Sequence, residues 1–137
     1  MYNIIKYVEK NKGWEIEYMK VALLSETYFP HINGVTTHIK TLKDGLTALG
    51  HEVLVVTASP DAKKHYIKDG VLYCPAIRLK NIYGFGVSNP YSRTRLKLLG
   101  EFNPDIIHVH NEFSMGLYGI YAAKKLNKTL VKTIHTS

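Results

Sequence analysis

Apolar and polar residues follow two alternating periods along most of the chain, which predicts strands and helices in turn. Residues 21–25 form a continuous apolar run, typical of a strand that is covered on both faces. Residues 36–49 carry apolar side chains three or four positions apart, which indicates a helix, and Gly50 can cap its end. Residues 52–57 form the next predicted strand. A buried strand, a helix and a second strand therefore open the regular part of the chain.

The remaining pattern continues this alternation. Further strands are predicted at 71–74, 77–79, 104–110 and 130–134, helices at 92–101 and 117–126, and a long loop at 81–91. Strands separated by helices predict an α/β fold with a Rossmann-like, doubly wound, mostly parallel sheet. The chain stops directly after a strand, where a parallel sheet normally continues, so we expect a domain that is cut short.

Residues 1–18 have mixed charge and no clear period. They fit either an extension that precedes a start at Met19 or a peripheral helix, and we favour the extension. The expected division is therefore an N-terminal extension at 1–18 and one domain at 19–137.

Composition places the chain among globular proteins but gives it an uneven charge. Of its 137 residues, 45% are hydrophobic and 21% charged, and the net charge is +7. Between Lys63 and Lys97 eight basic residues face one acidic residue, Asp69. Such an excess suits lipid headgroups, phosphates or nucleic acid, although a solvated lysine-rich face would look the same.

Cys74 is the only cysteine, which fits a reducing compartment and excludes an internal disulfide. No apolar run approaches the roughly 18 residues that a membrane span needs, and charged residues interrupt the N-terminus where a signal peptide would be apolar. We expect a cytoplasmic chain that can be peripheral on the inner face of the cell membrane.

Ligands of open parallel sheets bind outside the carboxyl ends of the strands. Three segments are predicted at that edge: residues 26–34, 110–115 and 135–137. In the first, Gly34 lets the backbone approach a ligand just before a helix, a geometry that suits a diphosphate. Asn33 and Gly34 also fit a simple turn, and neither a dinucleotide fingerprint nor a P-loop is present.

His108 and His110 lie two positions apart on a predicted strand, so their imidazoles share one face. A zinc site lacks further ligands at useful spacing. His110, at the strand end, can face the cleft with Glu112 and assist proton transfer, while a purely structural histidine remains the alternative.

Basic and aromatic residues are interleaved in and just after the predicted long loop at 81–91. Tyr91, Arg93, Arg95 and Lys97 follow Tyr83 and Phe85 within a short stretch. This composition suits a membrane interface and also single-stranded nucleic acid. No nucleic-acid module accompanies it, so we favour anionic lipid and expect no nucleic-acid partner.

Three motifs resemble one enzyme family. Residues 25–38 (SETYFPHINGVTTH) resemble the opening loop and first helix of retaining glycosyltransferases of family four with the GT-B fold. Residues 104–114 (PDIIHVHNEFS) and 131–136 (VKTIHT) resemble two later strands and loops of that family. The order and spacing of the three motifs agree with those of the family over about residues 20–137. Within the family, the motifs most resemble those of diacylglycerol glucosyltransferases and phosphatidylinositol mannosyltransferases.

The resemblance implies a role for each matching position. Gly34 would lie against the diphosphate of a nucleotide-sugar, with Asn33 as a further substrate-binding residue. His110 would reach the transferred sugar as a catalytic residue, with Glu112 as the second catalytic residue. The other implied contacts are at the cleft and acceptor (Glu112, His135, Thr136) and at the membrane or an anionic acceptor (Tyr91, Arg93, Arg95, Lys97). No cofactor and no metal are implied.

The sequence also departs from the family. Many relatives have Gly-Gly where this chain has Asn33-Gly34, and the second domain, which supplies most donor contacts, is absent. We therefore expect the acceptor-side domain of a hexosyltransferase that is inactive alone, since catalysis needs donor and acceptor held together. The alternative is a non-catalytic Rossmann-like module that binds anionic membrane or a partner protein.

Overall fold

The computed structural model describes residues 6–10, 13–26, 28, 34–78, 86–87, 92–110 and 114–133. In these residues a six-stranded sheet carries one helix on one face and two on the other. The strands of this sheet are β3 (Lys20–Ser25), β4 (Glu52–Ser59), β5 (Tyr66–Lys68), β6 (Val71–Pro75), β9 (Ile106–Val109) and β10 (Thr129–Lys132). The helices are α1 (Gly34–Ala48), α2 (Arg93–Phe102) and α3 (Ser114–Leu126).

The spatial order of the sheet is β10-β9-β3-β4-β6-β5. Every neighbouring pair is parallel except β5 with β6. The chain therefore runs outward from β3 through β4 and β6, and then returns to the other side of β3 to form β9 and β10. The predicted doubly wound, mostly parallel sheet is confirmed.

The two faces of the sheet bury separate apolar clusters. On one face, Val21 and Leu23 of β3 pack with Ile39 and Leu46 of α1. On the other face, the intervening β3 residues Ala22 and Leu24 pack with Leu99 of α2 and with Met115 and Tyr118 of α3. A strand buried on both faces must be apolar at every position, which explains the continuous apolar run of β3.

Helix boundaries follow local signals in the sequence. At the start of α2 the Ser92 hydroxyl accepts a hydrogen bond from the Arg95 amide at 3.2 Å, as an N-cap does. At its end Asn103 adopts a left-handed φ of 56°. Gly50 closes α1 with a φ of 93°, and the His51 amide reaches back to the Leu46 carbonyl. The predicted cap at Gly50 is confirmed.

Several strands differ from the predictions. The segment 1–18 holds no helix in its described part, because β1 (Lys6–Lys10) and β2 (Gly13–Glu17) form an antiparallel hairpin. Short β5 was missed, since its three residues carry no readable period. Strand β7 (Ile77–Arg78) pairs with β8 (Gly86–Val87), which lies inside the predicted long loop. The division into an extension and a domain at Met19 stays a prediction.

The close approach of α3 to β9 depends on Gly119. A Cβ atom at this position would overlap Val109 Cγ2. The helix axis can therefore lie nearer to the sheet here than any larger residue would permit, and β9 is held directly beneath the helix backbone.

We expect Gly119→Ala to destabilise the fold by about 1–3 kcal/mol, because the added methyl group must displace either α3 or β9. Gly45→Ala is the matched control, since a Cβ at Gly45 in α1 meets nothing within 4 Å. That change should stabilise by roughly 0.5 kcal/mol through helix propensity. Urea denaturation measures both, and equal effects at the two positions would contradict the close approach.

Candidate functional site

The strand order reverses between the adjacent strands β3 and β9, which makes this pair the topological switch point of the sheet, and we call the region beyond their carboxyl ends the crevice. The chain leaves β3 in one direction and returns on its other side, and open α/β sheets bind ligands at such a switch point. The carboxyl ends of β3 and β9 both reach it because the two strands are parallel. The His110 amide donates to the Leu24 carbonyl at 2.9 Å, which joins the two strand ends.

Buried polar side chains gather at this edge on the α1 face. Along β3, apolar Leu23 gives way to Ser25, and Ser25 is in register with Thr57 of β4. Thr36 in the first turn of α1 is also fully buried. The face is thus apolar at the amino ends of the strands and polar at their carboxyl ends, where a polar ligand would be bound.

Three histidines meet within this polar region. The rings of His108 and His110 stack with centroids 4.1 Å apart and planes inclined by 23°. The ring of His38, from α1, lies 5.6 Å from that of His110. His108 Nε2 and the Thr133 hydroxyl are 2.6 Å apart, within hydrogen-bond distance.

His108 of β9 and His110 just beyond it therefore share one face, as predicted, but both are buried at 1% exposure. Contact between His110 and a substrate stays a prediction. Among the described residues no three histidine, cysteine or acidic side chains converge on a possible metal position.

A buried carboxylate joins the loop after β3 to the start of α3. Glu26 Oε1 accepts a hydrogen bond from the Met115 amide at 2.5 Å, and Glu26 is 1% exposed. A carboxylate is stabilised at a helix N-terminus, where amides are free and the helix dipole is positive. Sequence analysis missed this role of Glu26, although an acidic residue directly after the first strand was a visible signal.

Gly34 is the first residue of α1, two residues before the predicted start of this helix, and a Cβ there would meet nothing within 4 Å. Its contact with a diphosphate stays a prediction. The α1 first turn contains no acidic residue. The other predicted contacts of the cleft and membrane, namely Asn33, Tyr91, Glu112, His135 and Thr136, lie outside the described residues.

Arg95 does not lie on an exposed basic surface, so its prediction as a membrane contact is wrong. Its exposure is 0%. The guanidinium carbon lies 4.4 Å from the centroid of the Tyr118 ring, and Nη1 lies 3.9 Å from Met115 Sδ. The interleaving of basic and aromatic residues suggested one surface, but within helix α2 Arg95 faces inward while Arg93 and Lys97 remain exposed.

The surroundings of Arg95 shift the pKa values of nearby groups. Burial raises the pKa of the Cys74 thiol to about 11, although Arg95 opposes the shift. Burial likewise raises the pKa of Tyr118. Burial and then the charge of Arg95 lower the pKa of His65. Burial thus favours the neutral form of each of these groups. The contacts of Arg95 with Tyr118 and Met115 join α2 to α3.

We expect Arg95→Ala to destabilise the fold by at least about 2 kcal/mol, because it removes a buried side chain and its cation–π contact. Arg93→Ala, two positions away on the same helix and exposed, should change stability by no more than about 0.5 kcal/mol. Urea denaturation compares the two, and a near-neutral Arg95→Ala would show that the buried contacts are unimportant.

Comparison with known proteins fits this geometry. The sequence model of the family described as Glycosyltransferase Family 4 matches residues 32–137. The chain belongs to this family. It is 38% identical over 121 residues to the alpha-monoglucosyldiacylglycerol synthase of Acholeplasma laidlawii, covering 87% of this chain and 30% of the relative. A GDP-mannose-dependent alpha-mannosyltransferase of Corynebacterium glutamicum is 32% identical, and the match covers 79% of this chain and 27% of that relative.

A solved structure supports the fold of this family 4 chain. The catalytic domain of starch synthase IV from Arabidopsis thaliana, bound to ADP and acarbose, superposes with a TM-score of 0.58 at 16% identity. The match covers 88% of this chain and 34% of that one. The predicted GT-B fold is confirmed, and the chain spans about a third of the length of the proteins it matches.

Proposed function

We propose that this chain is the acceptor-side domain of a retaining glycosyltransferase. The reaction moves a hexose from a nucleotide-sugar to a hydroxyl acceptor, with a lipid as the favoured acceptor. The observation that carries the proposal is the position of His110 at the β3–β9 switch point, in a chain that belongs to glycosyltransferase family 4. The names of two relatives supply the substrate classes: one is a diacylglycerol glycoside synthase and the other uses GDP-mannose.

The described residues favour a division of roles at the crevice. The Glu26 carboxylate already bonds the Met115 amide at the start of α3, whereas α1 has no acidic residue in its first turn. An incoming diphosphate would therefore be attracted to the amides at the start of α1. His110, at the adjacent end of β9, would hydrogen-bond the transferred sugar once its ring edge becomes accessible.

Catalysis in this proposal requires further polypeptide. Starch synthase IV and the bacterial relatives are about three times as long as the region matched here. Donor, leaving group and acceptor must be held in one geometry to react, and we propose that the missing contacts come from a second domain. The chain alone should therefore give no sugar transfer.

A chimaera tests this proposal. Residues 19–137, the expected domain, would replace the corresponding segment of the Acholeplasma laidlawii synthase, and glycolipid formation would be measured with radiolabelled nucleotide-sugars. We expect turnover by the chimaera and none by the chain alone. His110→Ala in the chimaera should lower turnover by about 10²-fold or more, since a group that hydrogen-bonds the reacting sugar contributes several kcal/mol.

His51→Ala is the matched control for that experiment. His51 is also buried, but it accepts a hydrogen bond from the Met19 amide at the opposite edge of the sheet. Turnover per folded molecule should survive this change. Equal losses from the two histidine variants would argue for a structural His110, and sugar transfer by the chain alone would overturn the two-domain proposal.

We also propose that exposed basic residues attach the chain to anionic membrane from the cytoplasmic side. Arg93 and Lys97 lie exposed on α2, and Lys63, Lys64 and Lys68 are exposed earlier in the basic stretch. No helix in the described residues is long and apolar enough to cross a bilayer. In this proposal the attachment depends on charge, and Arg95 takes no part in it because it is buried.

We expect the double variant Arg93→Gln, Lys97→Gln to bind anionic vesicles more weakly by roughly 30-fold, because each cation near the surface contributes about 1 kcal/mol. Co-sedimentation with and without anionic lipid measures this. The control pair Lys124→Gln, Lys125→Gln removes the same charge from exposed positions in the last turn of α3. Equal losses for both pairs, or equal binding to neutral vesicles, would contradict a specific surface.

A further inference from the structure

The side chain of His110 has a defined set of neighbours that the proposed function does not itself explain. His108 stacks on one side of its ring at 4.1 Å, and His38 lies against it at 5.6 Å with the ring planes inclined by 59°. His110 therefore lies between a strand neighbour and helix α1. The orientation of its ring depends on the orientation of these two.

The ring of His108 is in turn oriented from strand β10. Its Nε2 atom lies 2.6 Å from the Thr133 hydroxyl, so one of the two donates a hydrogen bond and the other accepts it. The pairing of β10 with β9 delivers that hydroxyl, because Val131 is in register with His108 and the Thr133 amide donates to the Val109 carbonyl at 2.9 Å. The backbone hydrogen bonds between β9 and β10 and the side-chain contact between His108 and Thr133 thus lie next to each other.

His108 is a poor candidate for contact with a substrate. It lies within β9 rather than at its end, it is 1% exposed, and one ring nitrogen is engaged by Thr133. A buried histidine held by a hydrogen bond fixes both its own ring plane and any ring stacked on it. Its contacts are those of a group that acts through a neighbour.

We infer that His108 and Thr133 are positioning residues for His110: the Thr133 hydroxyl fixes the His108 ring, and the His108 ring fixes the His110 ring by stacking. This inference rests on the proposed function only in giving His110 a substrate to meet. The arrangement links the end of β10 to the switch point between β9 and β3. A side chain that must be held within about 0.5 Å of a productive position needs this kind of support from its neighbours.

NMR of the whole chain with labelled histidine side chains tests the inference without any sugar transfer. The readout is the set of cross-peaks from the His110 ring to the rings of His108 and His38. Thr133→Val should remove or weaken these cross-peaks, because it deletes the hydroxyl. Thr133→Ser should retain them, because it keeps the hydroxyl. Thr129→Val, at an exposed position on the same strand, should change nothing.

Two further measurements separate positioning from general damage. The His110 amide, which bonds to the Leu24 carbonyl, should keep its hydrogen-exchange protection in Thr133→Val. In His108→Phe, which keeps a flat ring without a hydrogen-bonding nitrogen, the His110–His38 cross-peak should no longer depend on whether position 133 is Thr or Val.

The inference is overturned if Thr133→Val leaves the His110 cross-peaks unchanged, or if it alters them equally in the His108→Phe background. Loss of the cross-peaks in Thr133→Ser would also overturn it, and this variant decides the matter should Thr133→Val not fold. Because no turnover is measured, these outcomes are independent of whether the chimaera transfers sugar.

Discussion

Burial of β3 on both faces, with a hydrogen-bonded strand on each side, is the constraint on which the rest of this structure depends. A polar side chain within such a strand needs a buried partner, as His108 of β9 has in Thr133, and partners are easier to supply where the strand ends. Polar residues therefore begin at Ser25 and Glu26, just as β3 ends. The same rule places His110 after the last residue of β9. The chemistry of the crevice is concentrated at strand ends because the apolar layers leave no other room for it.

The strands and helices that border the crevice were predictable from the sequence because each has a strong local pattern. The apolar run of β3 is buried, and so are Ile39 and Leu46, two of the regularly spaced apolar residues of α1. The hairpin β1–β2 and strand β5 were not predicted. Both are short and largely exposed, so neither carries the burial that creates a readable period. Their pairing depends on the partner strand rather than on their own residues.

The site was predictable in part, for a related physical reason. Topology and the family resemblance brought His110 and Gly34 to one edge of the sheet. Neither could show that Arg95 turns inward, because a charged residue is usually exposed and its burial depends on Tyr118 and Met115, about twenty positions away. Nor could they show the bond between Thr133 and His108, which joins two strands across 25 positions. Contacts between distant segments leave no periodic trace in either segment.

The close approach of α3 to β9 at Gly119 has an evolutionary consequence. The backbone that carries the histidines is enclosed by a helix on one face and by strands on both sides, so substitutions in the surrounding loops can accumulate without displacing it. Selection for a different ligand could then act on loop sequence alone. A glycine that carries no functional group would thus keep the position of the strand constant while the loops around it diversify.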